Sequence, residues 1–227
     1  MSPADRAFAD RSAAGRALGI RLRSLVAIVG AVPRPVVLGI PRGGVAVGAE
    51  VARELGLELD VLVAHKVGAP GEPELAVGAV TASGTVLIEP WALDAGLIDE
   101  AAFAQAAAAE LARASTRETR LRGDRRPVAF EGRTVILVDD GMATGATMHV
   151  AVLAARSAGA ARVVVAVPIA SDEAVATIGS LADDVIALLV PDSLMSVGAW
   201  YGRFPQLDDD EVLAILAAAE HNLSRAG

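Results

Sequence analysis

Short runs of consecutive apolar residues alternate along the chain with longer stretches in which apolar positions recur every three or four residues. Runs of the first kind stand at 35–40 (PVVLGI), 59–64 (LDVLVA), 134–139 (TVILVD), 162–168 (RVVVAVP) and 184–190 (DVIALLV). Unbroken apolar runs of this length suit strands buried on both faces, as in a parallel sheet. The longer stretches predict helices over 6–29, 45–55, 99–122, 146–158, 172–181 and 209–222. Ser83-Gly84 between two β-rich runs predicts a hairpin within 76–90. This alternation predicts an α/β fold: a Rossmann-like, doubly wound, mainly parallel five-stranded sheet with flanking helices. The alanine-rich EAAFAQAAAAELARA follows from helix propensity alone. With no internal repeat and no long linker, a single domain over 1–227 is expected.

Composition narrows the class. The chain has 227 residues, 53% of them hydrophobic, enough for one sizeable core. Cysteine is absent, which excludes disulfides, thiolate catalysis and Cys-ligated zinc. The formal net charge is −8 and no basic stripe stands out, which argues against stable duplex nucleic acid as a partner. The first residues mix Asp and Arg and offer no signal-peptide core, and no apolar run approaches the ~20 residues of a membrane span. A cytoplasmic protein without a membrane partner is expected. Of the 20 basic residues only Lys66 is a lysine.

In an open parallel sheet, ligands sit beyond the carboxyl ends of the strands. The segments to inspect are PRGG, HKVGAPGEPE, DDGMATGAT and PDSLMSVGAWYGRF. In the third, residues 141–147 run from a strand end into a helix, where free backbone N–H groups converge on an anion. Thr144 and Thr147 add hydroxyl donors, and Gly145 permits close approach. The lysine of a triphosphate loop is missing, as is a dinucleotide fingerprint, so a terminal monophosphate fits better. Asp139 and Asp140, just before the loop, are acceptors for a vicinal diol. A phosphate beside a diol describes ribose 5-phosphate.

VILVDDGMATGAT resembles the phosphoribosyl-pyrophosphate (PRPP) motif of the type I phosphoribosyltransferases. The resemblance implies that fold, with a mobile loop or hairpin over 66–79 and a small C-terminal hood at about 190–227. It implies that Asp139 and Asp140 hold the ribose hydroxyls and meet Mg²⁺ through water. Gly141, Met142, Ala143, Thr144, Gly145, Ala146 and Thr147 would wrap the 5-phosphate. GIPRGG resembles the family's pyrophosphate loop, so Arg42, Gly43 and Gly44, joined by Lys66, are expected to bind pyrophosphate, with Arg42 and Lys66 as the catalytic cations. Lys66 is expected at the end of the second strand, where a compact ammonium suits pyrophosphate. Glu72 and Glu74 read as loop-tip charges rather than catalysts. VGAWYGRF resembles the hood over the nucleobase, with Val197, Trp200 and Tyr201 as base-binding candidates; Trp200 and Phe204 could equally anchor the last helix.

The likeness runs over most of the chain. FADRSAAGRALGIRL and VGAWYGRFPQLDDDEV resemble a bacterial group of phosphoribosyltransferases, some of them fused to a dienelactone-type hydrolase. No G-x-S-x-G elbow occurs here, so that second activity is not expected. Two departures bear on the acceptor. The aspartate that precedes the T-G pair in 6-oxopurine enzymes is Ala143, and the aspartate four residues beyond the hood glycine is Gly202. Hypoxanthine and guanine are therefore poor candidates. The implied reaction moves the phosphoribosyl group from PRPP to a nitrogen nucleophile, with Mg²⁺ as cofactor and a homodimer as the expected assembly. A PRPP-sensing regulator without turnover is the alternative. A nucleosidase or kinase-like enzyme is weakened by the missing triphosphate loop.

Overall fold

All five apolar runs enter one parallel sheet in the computed structural model, which describes residues 7–29 and 33–226. The strands are β1 (Val36–Gly39), β2 (Glu58–Val61), β6 (Thr134–Val138), β7 (Arg162–Ile169) and β8 (Asp184–Leu189). Their spatial order is β2-β1-β6-β7-β8, all neighbours parallel. Alternate residues feed two cores, as the period of two requires. Val37, Ile136, Val138 and Val164 face α1 (Arg11–Val29), α2 (Gly43–Leu55) and α7 (Asp209–Ala226). Val36, Val135, Leu137, Val163 and Val165 face α5 (Ala146–Ser157) and α6 (Asp172–Gly179). Among the described residues no helix is long and apolar enough to cross a membrane.

Three expectations need correction. The first helix begins at Arg11, not at residue 6, because Asp10 caps it: its Oδ1 accepts from the Ala13 N–H at 2.9 Å. Arg6 lies outside the described residues.

The second strand ends at Val61, and Lys66 belongs instead to β3 (Ala64–Ala69) of a separate antiparallel sheet, β3-β4-β5. Residues 66–79, expected as a mobile loop or hairpin, form most of the hairpin of β3 and β4 (Glu72–Thr81), which continues through the foreseen turn into β5 (Val86–Ile88). The apolar anchors that the segment lacks locally come from a distance. Val67, Ala69, Val77 and Val80 pack with Ala92 of α3 (Pro90–Asp94) and with Phe103 and Ala107 of α4 (Glu100–Arg122). A Cβ on Gly78 would lie 2.3 Å from the Leu87 carbonyl oxygen and 2.5 Å from the Phe103 ring, so the β5 backbone and that ring together leave room only for glycine.

The expected hood is also smaller. α7 sends Val212 and Leu216 into the main core, which leaves 190–208 as the covering segment.

Candidate functional site

The strand order reverses between β1 and β6: the chain leaves β1 toward β2 on one side and returns at β6 on the other. A crevice opens at the carboxyl ends of such a pair. The segments leaving those two ends are PRGG and DDGMATGAT. The fold therefore brings together residues 41–44 and 139–147.

The two loops touch closely. A Cβ on Gly43 would lie 1.8 Å from Asp140 Oδ2, and one on Gly44 would lie 2.4 Å from the Val138 carbonyl oxygen and 2.8 Å from Asp139 Cα. The paired glycines thus admit the acidic pair against the PRGG backbone, a reason beyond the anion binding expected of them. The Pro41–Arg42 peptide is cis. Neither Arg42 nor Lys66 has a side-chain hydrogen bond or ion pair among the described residues, although most described arginines do. Both cations are free to meet an anion. Lys66 is exposed on β3, opposite Ala79.

The acidic pair is half-buried. Asp139 Oδ1 accepts from the Asp140 N–H at 2.8 Å. Burial pushes the Asp139 carboxyl well above the usual carboxylate range, and the Asp140 charge pushes it further. Burial raises Asp140 as well, against the opposing pull of Arg11. The Arg11 Nε lies 2.8 Å from Asp140 Oδ2, with side chains 12% and 16% exposed. The sequence does not single out Arg11, since a pair 129 residues apart leaves no local signature.

Beyond the pair, the loop is pinned to the end of β7. The Met142 N–H donates to the Ile169 carbonyl at 2.9 Å, and the Met142 carbonyl accepts from the Ser171 N–H. Ser171 Oγ donates to the Ala143 carbonyl at 2.6 Å. Met142, expected among the phosphate donors, is corrected here: its amide is committed and its side chain is core. Ser171 is a second residue that the sequence does not flag. Gly145 caps α5 at φ +79°, a left-handed conformation that only glycine adopts readily. The amides of Thr144, Gly145 and Thr147 have no acceptor among the described residues, and they head a 12-residue helix. Thr144 and Ala143 are exposed, while Ala146 and Thr147 are half-buried.

The covering segment lies directly on this loop. A Cβ on Gly141 would lie 2.4 Å from Val197 Cγ1. Val197 opens a short 3-10 turn, Val197–Trp200, and both of its end residues are half-buried against Phe8, Ala14 and Tyr201. Tyr201 is not a base-stacking face in this structure. It is 1% exposed, its ring lies between Phe8 and Phe204, and its hydroxyl donates to the Asp140 carbonyl at 2.6 Å. Burial and the nearby Asp140 charge raise its pKa, so it stays a neutral donor. Glu72 is exposed at the β3–β4 turn, as a loop-tip charge would be; the side chain of Glu74 lies outside the described residues.

The comparisons agree with this geometry. The phosphoribosyl transferase domain family matches residues 32–186, a span holding both loops. A Mycobacterium tuberculosis protein provisionally named a phosphoribosyl transferase is 41% identical over 220 residues. That alignment covers 97% of this chain and 48% of the relative, so the chain spans about half the length of the curated relatives it matches. The crystal structure of TT1426 from Thermus thermophilus superposes with a TM-score of 0.79 at 45% identity, covering 93% of this chain and 98% of that one. By motif, fold and family match, the chain belongs to the phosphoribosyltransferases, with their type I fold.

Proposed function

We propose that this chain transfers the 5-phosphoribosyl group of PRPP to a nitrogen nucleophile, a nucleobase, with release of pyrophosphate. The observation that carries the reading is the meeting of PRGG and DDGMATGAT at the β1/β6 crevice, with two carboxylates beside unengaged helix-start amides.

Each residue then has a task. The amides of Thr144, Gly145 and Thr147 and the two threonine hydroxyls hold the 5-phosphate. Asp139 and Asp140 accept from the ribose hydroxyls and orient the sugar. Arg42 and Lys66 hold pyrophosphate and stabilise the charge it gains as its bond to C1 breaks. The bond from the acceptor nitrogen to C1 forms in its place, and the proton lost by that nitrogen leaves with solvent. The covering segment, with Val197 and Trp200, shelters the acceptor. Asp139 and Asp140 also fit a divalent cation that arrives on the ligand. Burial works against the ionised form of both carboxyls and Arg11 opposes it only in part, so an arriving cation would favour the charged pair, while no group of three or more carboxylates or histidines able to hold a bare ion occurs among the described residues. When bound, Mg²⁺ neutralises the leaving pyrophosphate.

The test is a panel of nucleobases and amines supplied with PRPP and Mg²⁺, read by pyrophosphate release and by calorimetric PRPP binding. Acceptor-dependent release supports the transferase. Tight binding with no release for any acceptor favours a PRPP sensor, and absence of binding overturns both.

A further inference from the structure

Arg11, the first residue of α1, makes three unlike contacts at once. Its Nε donates to Asp140 Oδ2 at 2.8 Å, its Nη1 donates to the Pro205 carbonyl at 2.7 Å, and its guanidinium carbon lies 3.7 Å from the centre of the Phe204 ring. One contact is to the acidic pair and two are to the covering segment. Around them the lead-in residues join the same segment by backbone bonds. The Phe8 N–H donates to the Trp200 carbonyl at 3.1 Å, the Gly202 N–H to the Phe8 carbonyl at 2.7 Å and the Arg203 N–H to the Ala9 carbonyl at 2.8 Å. Arg203 also reaches Asp10 at 2.6 Å.

We propose that Arg11 is a positioning residue that straps the covering segment 190–208 and the lead-in segment 7–10 to the sugar-binding carboxylate, so that cover and sugar site move as one unit. The identity of the ligand rests on the PRPP reading. A planar fork is what the place requires, since Nε and Nη serve acceptors in two different elements while the flat face stacks on Phe204. An ammonium has one centre and no such face. The ion pair fixes Asp140 Oδ2 and leaves Oδ1 to accept from a hydroxyl. The strap also explains Gly43 further: a Cβ there would lie 3.0 Å from Arg11 Nε. FADRSAAGRALGIRL and VGAWYGRF, far apart in the sequence, are the two sides of this fastening.

The test uses Arg11→Ala and Arg11→Lys in the full chain, with calorimetry for ribose 5-phosphate and pyrophosphate and amide hydrogen exchange without ligand. The alanine variant is expected to bind ribose 5-phosphate about tenfold more weakly, the scale of one charge-assisted bond, with pyrophosphate affinity held within about twofold. Lysine keeps the charge but not the fork, and should fall between. Exchange should quicken at the Phe8, Gly202 and Arg203 amides and not along β7. Equal loss of both ligands, or quickened exchange in β7 as well, would reduce Arg11 to general support of the fold and overturn the proposal. So would unchanged exchange at those three amides. Should the alanine variant not fold, the lysine variant carries the same comparisons. If the unsubstituted chain binds neither ligand while exchange responds as stated, the strap stands and the PRPP reading falls.

Discussion

Burial and the neighbouring Asp140 charge push Asp139 toward its protonated form, so the ligand-free fold resists the ionised state that a diol needs. The sign follows from linkage. A carboxyl whose folded pKa exceeds its unfolded value of about 3.9 contributes stability at pH below that value, and the contribution is lost as pH rises through the folded pKa. Asp139→Asn keeps the acceptor for the Asp140 N–H and removes the charge. It should stabilise the ligand-free protein at pH 7 by on the order of 1–2 kcal/mol, and the gain should vanish toward pH 4. Thermal melts across pH check this. The same variant, combined with Asp140→Asn, should weaken PRPP binding by at least ~1.5–3 kcal/mol, with unchanged affinity counting against the diol assignment. Lys66 poses a second question at this scale. If its ammonium meets pyrophosphate, Lys66→Arg should lower PRPP and pyrophosphate affinity by about tenfold and leave ribose 5-phosphate untouched. Equal loss of all three ligands would mean instead that Lys66 supports the hairpin.

Among the elements, the 3-10 turn and the residues after it do more than cover. Tyr201 holds the Asp140 carbonyl from beneath while Phe8 and Phe204 hold the ring. Tyr201→Phe removes the hydroxyl and keeps the packing, and should cost about 0.5–1.5 kcal/mol of stability. It should also weaken ribose 5-phosphate more than pyrophosphate; a variant that melts earlier yet binds both normally would confine Tyr201 to packing. The two loops at the crevice are legible in the sequence because a strand end, a glycine pair and a T-G pair are local signals. Tyr201 is legible only as an aromatic in the covering segment, since nothing local tells that it turns inward. Arg11 and Ser171 are not legible, because their partners lie 129 and 28 residues away. The β3–β4 hairpin is legible only as a loop or hairpin, without its packing, for the same reason. Its Gly-Pro punctuation is local, while the Phe103 and Ala107 that bury it stand on α4.

At the scale of the whole molecule the chain has two sheets with separate apolar centres. The five-stranded sheet is buried on both faces by α1, α2 and α7 on one side and by α5 and α6 on the other. The antiparallel sheet leans on α3 and α4 through a smaller cluster. Phe103→Ala deletes the ring beneath Gly78 and should cost about 3–5 kcal/mol locally. Hydrogen exchange should then quicken in β3, β4 and β5 ahead of β6 and β7, with ribose 5-phosphate affinity nearly intact. Uniform quickening across both sheets would show instead that the two centres unfold as one.

The reversal of strand order has one more consequence. The PRGG loop leaves β1 and the acidic loop leaves β6, and between these neighbours the chain travels through β2, the whole antiparallel sheet and α4 before returning. No contiguous fragment short of that excursion contains both walls of the crevice. The proposed recognition of anion and sugar would therefore be an assembly property, absent from either half of the chain and present only once two distant strands lie side by side. The excursion is no passive link either, since it carries Lys66 on β3 and rests β3 and β4 against α5, the helix into which the acidic loop leads.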